Sequence, residues 1–145
     1  MIETFAKTEK DEVIELSFPA QGDLITLARF TAATVAARAG FDVEEIEDLR
    51  LAVDELCVSF GPLTGDRLLR IEFRRLDEVV SVECVLHPPV AGSPGSVTGP
   101  RGDGGSTGLE LSEQLLDALV DAHGREAAGG MQCAWLRKRR GSAQR

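Results

Sequence analysis

The chain has 145 residues, of which 43% are hydrophobic and 28% charged, and its formal net charge is −8. This composition fits one domain with a hydrophobic core and excludes a chain that is disordered throughout. The acidic balance argues against nucleic-acid binding, because phosphate recognition depends on clustered lysine and arginine, and it favours a basic protein partner.

No segment contains enough consecutive apolar residues to span a bilayer. The N terminus also lacks the basic region and following apolar stretch that are typical of an export signal. We therefore expect no membrane span and no export, which predicts a cytoplasmic protein. The cysteines Cys57, Cys84 and Cys133 are odd in number and lie among apolar residues. This pattern predicts reduced core thiols rather than a disulfide framework or a zinc site.

The first elements in chain order are a strand and a helix. Residues 13–18 alternate as a strand does, and Pro19 ends the run. Asp23 lies at the predicted start of the first helix, and Gly40 closes it. The apolar stripe of this helix is predicted at Leu24, Leu27, Ala28, Thr31, Val35 and Ala39.

The second helix contains an isolated carboxylate on an apolar flank. Asp42 is predicted to cap this helix, with Glu45 as its capping-box partner. Glu55 falls outside the apolar stripe, yet its neighbours one turn away, Leu51 and Val58, are apolar. Either Glu55 is solvated beside ordinary exposed aliphatics, or another segment or a ligand covers it. The stripe itself is predicted at Val43, Ile46, Leu49, Val53, Leu56 and Phe60.

The second half of the chain predicts a hairpin, a long loop, a helix and a closing strand. Residues 67–74 and 79–86 alternate as paired strands. Residues 87–108 are rich in proline and glycine, which predicts a lid or a disordered loop. A third helix is expected over 108–123 and a strand over 131–136. This order predicts an α+β fold with one domain over 1–145, a two-layer sandwich in which three helices cover one face of a mainly antiparallel sheet.

The glycine-rich run at 102–109 leads into the third helix. Glycines leave backbone amides free to approach an anion, and the start of a helix adds a favourable dipole. A flexible linker explains the same run equally well, so both interpretations stay open.

Together these segments resemble the anti-sigma-factor serine kinases of bacterial partner-switching systems, which belong to the GHKL group of ATP-binding domains. The resemblance is carried by residues 16–20, 39–41, 47–55, 107–111 and 115–117. It implies a Bergerat-type ATP-binding fold with ATP and magnesium as cofactors. In such kinases the glutamate matching Glu55 is the general base, and an asparagine at the position of Ser59 holds the magnesium ion.

Several positions depart from the pattern of the family. The Ser59 hydroxyl can ligate a hard cation but lacks the reach of an amide oxygen. The adenine-recognition motif of the family, Asp-x-Gly, corresponds here to Glu83 and Val85, and the last nucleotide landmark keeps only Gly105 and Gly108. These changes resemble divergent, actinobacterial-type members that act as anti-sigma factors although their kinase motifs have decayed.

The resemblance also implies partners for the first helix and its approach. Asp23 and Arg29 match positions that contact a sigma factor and an anti-anti-sigma antagonist of the STAS type, and homodimers through the sheet are common in the family. Arg29 lies two positions from Leu27 and Thr31, so we expect it to face outward. There it either pairs with a carboxylate of a partner or remains an ordinary solvated arginine.

Three functions follow from this resemblance. The leading hypothesis is an anti-sigma factor that sequesters a sigma factor and releases it by partner switching, with Glu55 as a remnant or weakened base. The alternative is an active ATP-dependent serine kinase that phosphorylates the antagonist. A third possibility is a nucleotide-binding module in which ATP only orders the lid.

Overall fold

The computed structural model describes residues 11–89 and 104–141, with the backbone alone at 104–107. These residues form nine elements in chain order. They are β1 (Asp11–Gln21), a 3-10 turn (Gly22–Leu24), α1 (Ile25–Arg38), α2 (Val43–Val58), β2 (Thr64–Leu76), β3 (Val79–Leu86), α3 (Gly104–Leu119), β4 (Ala122–Ala128) and β5 (Met131–Arg139).

The strands form one antiparallel sheet in the order β1-β2-β3-β5-β4. The helices cover one face of this sheet, and alternate strand residues point into the core between the two layers. The inward residues of β2 and β3 are fully buried apolar side chains, among them Leu69, Ile71, Phe73, Val82 and Leu86. The predicted α+β sandwich is therefore confirmed.

The start of α2 follows the sequence prediction closely. The Asp42 carboxylate accepts a hydrogen bond from the Glu45 amide at 2.8 Å, and the Glu45 carboxylate accepts one from the Asp42 amide at 2.9 Å. These reciprocal bonds form a complete capping box and satisfy amides that a helix start otherwise leaves free. The end of α1 is also as predicted, because Gly40 has a φ of 86°, which favours glycine.

The apolar stripes of both helices differ from the predicted ones at particular positions. Leu27 is 47% exposed and Val43 is 77% exposed, although both were expected to face the core. In α1 the core contacts come from smaller side chains, because Ala28, Ala32 and Ala36 let the helix approach closely. The larger Leu27 therefore faces outward.

A cluster of three charged residues joins the first strand, the first helix and the second strand. Glu12 of β1 accepts hydrogen bonds from Arg38 of α1 and, at 3.1 Å, from Nε of Arg75 in β2. Arg75 is only 7% exposed, so this carboxylate compensates a largely buried cation. The cluster fixes α1 against the edge of the sheet.

The region after β3 differs most from expectation. The third helix begins at Gly104 rather than at residue 108, and it ends at Leu119 rather than at residue 123. The residues from Ala122 to Ala128 form β4, a strand that the sequence did not predict, and this strand pairs with β5. Residues 90–103 of the predicted lid lie outside the described residues.

Candidate functional site

Glu55 lies near the end of α2, and α3 covers it. The Ser112 hydroxyl of α3 donates a hydrogen bond to Oε1 of Glu55 at 2.8 Å, and Ser112 is only 5% exposed. The neighbours on the same flank, Leu51 and Val58, remain 55% and 56% exposed. Of the two explanations, the described residues favour a covering segment, and that segment is α3.

Ser59 is the C-cap residue of α2, one turn after Glu55. Its hydroxyl donates to the Leu56 carbonyl at 2.6 Å, and its own carbonyl accepts a hydrogen bond from Arg125 of β4 at 3.3 Å. The structure thus brings Glu55, Ser59, Ser112 and Arg125 to the end of α2. This group defines the α2 end site.

Glu83 lies on the other side of the sheet. It alternates with Val82 and Cys84, which are buried against the helices, so its side chain points to the opposite, exposed face. Its Oε2 accepts a hydrogen bond from the Cys133 thiol at 3.5 Å. A sheet layer therefore separates Glu83 from Glu55, and a nucleotide-binding role for Glu83 stays a prediction.

Gly105 and Gly108 lie within α3 rather than in a loop before it. The first four amides of a helix lack partners in the helix, and Gly105 falls in this turn. Gly108 follows that turn, so its amide lies past the group of free donors. It is exposed, and a Cβ added there would meet nothing within 4 Å.

The α2 end site does not fit a magnesium-ATP complex. The guanidinium of Arg125 lies against Ser59, where a divalent cation would meet a like charge. Ser112 occupies one oxygen of the Glu55 carboxylate, and Glu83 lies on the other face of the sheet. Within residues 11–89 and 104–141, no group of three or more His, Cys, Asp or Glu side chains is arranged to hold a metal ion. We therefore derive no chemical step through ATP or magnesium.

Arg29 lies in the second turn of α1, and Asp23 lies in the 3-10 turn just before this helix. Arg29 is half-buried rather than directed fully outward, and its Nε lies 3.3 Å from Oδ1 of Asp54 in α2. The carboxylate beside Arg29 thus belongs to this chain, which neither expectation included, and a contact of Arg29 with a partner protein stays a prediction. Asp23 is exposed in the 3-10 turn.

A cleft of about 440 Å³ opens between the start of α1 and the end of α2, beside the pair of Arg29 and Asp54. Its walls also include Ile25, Cys57, Val58 and Leu63. The cleft therefore combines an ion pair with a mainly apolar wall.

An exposed apolar pair lies on the outer surface of α1. Leu27 is 47% exposed and Phe30 is 61% exposed. Residues three positions apart lie on the same side of a helix, so the two side chains form one surface. We call Leu27 and Phe30 the α1 apolar pair.

Sequence reasoning did not identify Ser112, Arg125 or Asp54. Ser112 had a usable signal, because it occupies a position of the apolar α3 stripe that includes Leu109 and Leu116. A lone hydroxyl on a buried stripe needs a polar partner. Arg125 had no comparable signal, because the sequence did not predict the strand β4 in which it lies. Asp54 had none either, because its pairing with Arg29 depends on the tertiary packing of α1 against α2.

Comparisons with known proteins give a local similarity. Over 51 residues the chain is 39% identical to the serine-protein kinase RsbW of Bacillus cereus (strain AH187). This alignment covers 35% of this chain and 32% of the Bacillus protein. The same values hold for the RsbW proteins of Bacillus thuringiensis (strain Al Hakam) and Bacillus mycoides (strain KBAB4). The match thus spans about a third of the length of these curated relatives. No protein-family model matches the chain.

None of the helices in the described part of the chain has the length and apolar character that a membrane crossing requires.

Proposed function

We propose that this protein is an anti-sigma factor that sequesters a sigma factor and releases it when a STAS-type anti-anti-sigma protein competes. Local similarity to serine-protein kinase RsbW supports this assignment. The sandwich of three helices on an antiparallel sheet is consistent with a GHKL-type domain. Under this proposal residues 1–145 form a single domain, and the predicted lid ends where α3 begins at Gly104.

The α1 apolar pair is the observation that carries the proposal. A phenylalanine that is 61% exposed loses contact with water when a protein partner covers it, which favours binding. Arg29, between the two in sequence, is turned toward Asp54 of α2, so the pair itself forms an apolar surface. Exposed apolar side chains of this kind are the ones that protein interfaces cover.

The α2 end site favours binding over catalysis because of the charge beside it. The contact with Ser112 does not decide the matter, since the Glu55 carboxylate keeps a second oxygen that can accept a proton. Phosphoryl transfer depends on positioning and on charge stabilisation by metal ions, and a cation at Ser59 would lie near the Arg125 guanidinium, which donates to the Ser59 backbone carbonyl. Sequestration of a partner needs neither of these functions.

The test is direct binding. Purified protein is mixed with each sigma factor of the source genome, and complexes are detected by size-exclusion chromatography with light scattering. We expect one stoichiometric complex, and we expect Phe30→Asp to weaken it by about tenfold or more, since exposed aromatic anchors often contribute above 1 kcal/mol. Val43→Asp is the matched control, because Val43 is 77% exposed in the first turn of another helix. Failure of every sigma factor to bind would overturn the proposal.

An active serine kinase is the second candidate, and the half-buried carboxylate of Glu55 favours it. Incubation with labelled ATP and the cognate antagonist tests this function. Transfer that is abolished in Glu55→Gln would support the kinase, whereas transfer that survives this substitution would exclude Glu55 as the base. Calorimetry with ATP and magnesium separates a nucleotide-binding module from both, because such a module binds ATP without transfer.

The homodimer expected from the family resemblance also stays a proposal. It would use the exposed face of the sheet, where Arg137 stacks on Trp135 with 5.5 Å between the guanidinium carbon and the ring centre. Light scattering on the isolated protein at several concentrations decides between monomer and dimer.

A further inference from the structure

The cleft between α1 and α2 has the size and the apolar wall of a small-molecule site. Its volume of about 440 Å³ lies in the range of known ligand pockets. Ile25 and Leu63 contribute aliphatic surface to its wall. Gly22 and Gly61 also line it, and a Cβ added at either glycine would meet no heavy atom within 4 Å. The space beside both glycines is therefore open to a ligand.

Cys57 adds to the apolar wall rather than offering a reactive group. It is 1% exposed, and like Cys84 it is one of the buried free thiols that the sequence predicts. Buried thiols of this kind behave as small apolar groups. Cys133 was expected in the core as well, but it alternates with the buried Ala134 and lies on the outer face of the sheet.

Arg29 and Asp54 are the charged groups on the wall of the cleft. Nε of Arg29 lies 3.3 Å from Oδ1 of Asp54, and both side chains are 37% exposed, so a ligand can reach them. The Nε atom itself is shielded from solvent, yet no described residue accepts a hydrogen bond from it. A shielded donor without an acceptor is unfavourable, and such a group often marks the place of a bound water, ion or ligand.

The pairing of these two charges restricts the chemistry of a ligand. A simple anion at Arg29 would be repelled by the Asp54 carboxylate, and a simple cation at Asp54 would be repelled by the guanidinium. A neutral apolar molecule would leave the donors of Arg29 without acceptors. A molecule that carries a carboxylate and an ammonium group on the same carbon atom can meet both residues at once, and an apolar substituent then covers the wall.

We propose that this cleft binds a free α-amino acid with an aliphatic side chain. The α-carboxylate accepts hydrogen bonds from the Arg29 guanidinium, and the α-ammonium group donates to the Asp54 carboxylate. The aliphatic side chain packs against Ile25, Val58 and Leu63, which removes apolar surface from water. This inference does not depend on the proposed function, because no partner protein takes part in the binding.

The bound amino acid would join two elements of the helix layer. Arg29 belongs to α1, whereas Asp54 and Val58 belong to the last turns of α2. A ligand that contacts both helices binds only the folded chain, so it should also raise the temperature of thermal unfolding.

Titration calorimetry of the full chain with L-leucine tests the proposal without any substitution. We expect saturable binding at one site. Isocaproate lacks the ammonium group of leucine, isoamylamine lacks its carboxylate, and glycine lacks its apolar side chain. Each of these three probes should therefore bind more weakly than leucine by about tenfold or more.

Substitutions assign each charge of the ligand to its residue. Asp54→Asn should remove the preference for leucine over isocaproate, and Arg29→Gln should remove the preference for leucine over isoamylamine. Glu15→Gln and Arg70→Gln are the matched controls, because these two residues form an ion pair on the sheet that does not line the cleft. Both controls should leave the affinity for leucine unchanged, and circular dichroism establishes that each variant is folded.

Three results would overturn the proposal. The first is the absence of saturable binding of leucine at millimolar concentration. The second is equal binding of leucine and isocaproate by the unmodified protein, which would show that no group recognises the ammonium. The third is a loss of affinity in Arg70→Gln as large as in Arg29→Gln, which would indicate a general effect of charge.

Discussion

At the scale of single residues, the carboxylate of Glu12 is the group most strongly affected by its neighbours. Hydrogen bonds from Arg38 and then from Arg75 lower the pKa of Glu12 from 4.5 to about 2. Its folded pKa lies below its unfolded value, so the ionised form stabilises the fold. This stabilisation is complete above about pH 4.5 and is lost as the pH falls toward about 2.

We therefore predict that Glu12→Gln destabilises the protein at neutral pH and has little effect near pH 2. The loss should be roughly 1–2 kcal/mol, because Arg75 is largely buried but Glu12 itself is partly exposed to screening solvent. Urea unfolding at pH 7 and near pH 2 measures the difference. Glu15→Gln is the matched control. Glu15 forms an ion pair with Arg70, and because both side chains are about half exposed, this pair should contribute little to the free energy of unfolding. Equal losses at both pH values would contradict the assignment.

The hydrogen bond from Ser112 to Glu55 is the second contact with a residue-scale prediction. Ser112→Ala removes the donor and leaves the carboxylate unpaired within the described residues, which should cost about 1 kcal/mol of unfolding free energy. Hydrogen exchange should also show weaker protection of α3.

Thr34→Ala is the control for this substitution. The Thr34 hydroxyl donates only to the Phe30 carbonyl one turn earlier in the same helix, at an exposed position. Both variants remove a hydroxyl group, and Thr34→Ala removes in addition only an exposed methyl group, so a loss in Ser112→Ala alone identifies the contact between helices. No difference between them would mean that Glu55 gains nothing from α3.

The sequence could predict that Glu55 was unusual, but it could not identify the group that contacts it. Spacing along one helix is local information, and it gave the apolar flank at Leu51 and Val58 correctly. The partner Ser112 is 57 positions away in sequence. Such a contact depends on how α3 packs against α2, and the hydrophobic periodicity of each helix does not determine the position and angle of that packing.

At the scale of elements, helices with clear start and stop signals were predictable, but the short strand β4 was not. Asp42, Glu45 and Gly40 act through backbone geometry within a few residues, so their effects are visible in the sequence. The sequence of β4 contains Gly124, Ala127 and Ala128, which have low strand propensity. Pairing with β5 determines this strand, and that pairing is tertiary.

Gly124 of β4 is required by a close contact. A Cβ at this position would lie 2.7 Å from the ring of Trp135 in β5, so Gly124→Ala should displace the ring and destabilise the fold by about 1–3 kcal/mol. Thermal unfolding followed by the fluorescence of Trp135 would report both effects.

Gly108→Ala is predicted to have the opposite sign. Gly108 lies in α3 with nothing within 4 Å of an added Cβ, and alanine favours helices over glycine by up to about 1 kcal/mol. The same unfolding measurement compares the two variants. A destabilised Gly108→Ala would show that this glycine has a contact or a backbone role beyond the helix.

At the scale of the whole molecule, the charge predicts how partners approach. The net charge of −8 should attract a basic partner over distances beyond direct contact. We predict that the association rate with the sigma factor proposed as partner falls by about tenfold between low and high salt, while the dissociation rate changes less. Stopped-flow measurements at several salt concentrations would test this, and a flat dependence would contradict electrostatic attraction.

Phe30→Ala separates this long-range effect from direct contact. It leaves the net charge unchanged, so it should increase the dissociation rate and preserve the slope of association rate against salt. A changed slope in this variant would indicate that the partner binds elsewhere or in another orientation.

The sheet order has a consequence for synthesis of the chain. The strand β5 is the last in sequence, yet it lies between β3 and β4. On the ribosome, β3 cannot gain its second neighbour, and β4 cannot join the sheet, before residue 139 has left the exit tunnel. The first two helices and the strands β1, β2 and β3 are available earlier. The nascent chain therefore exposes an unpaired edge of β3 until β5 emerges, and this edge must be protected from pairing with other chains until then.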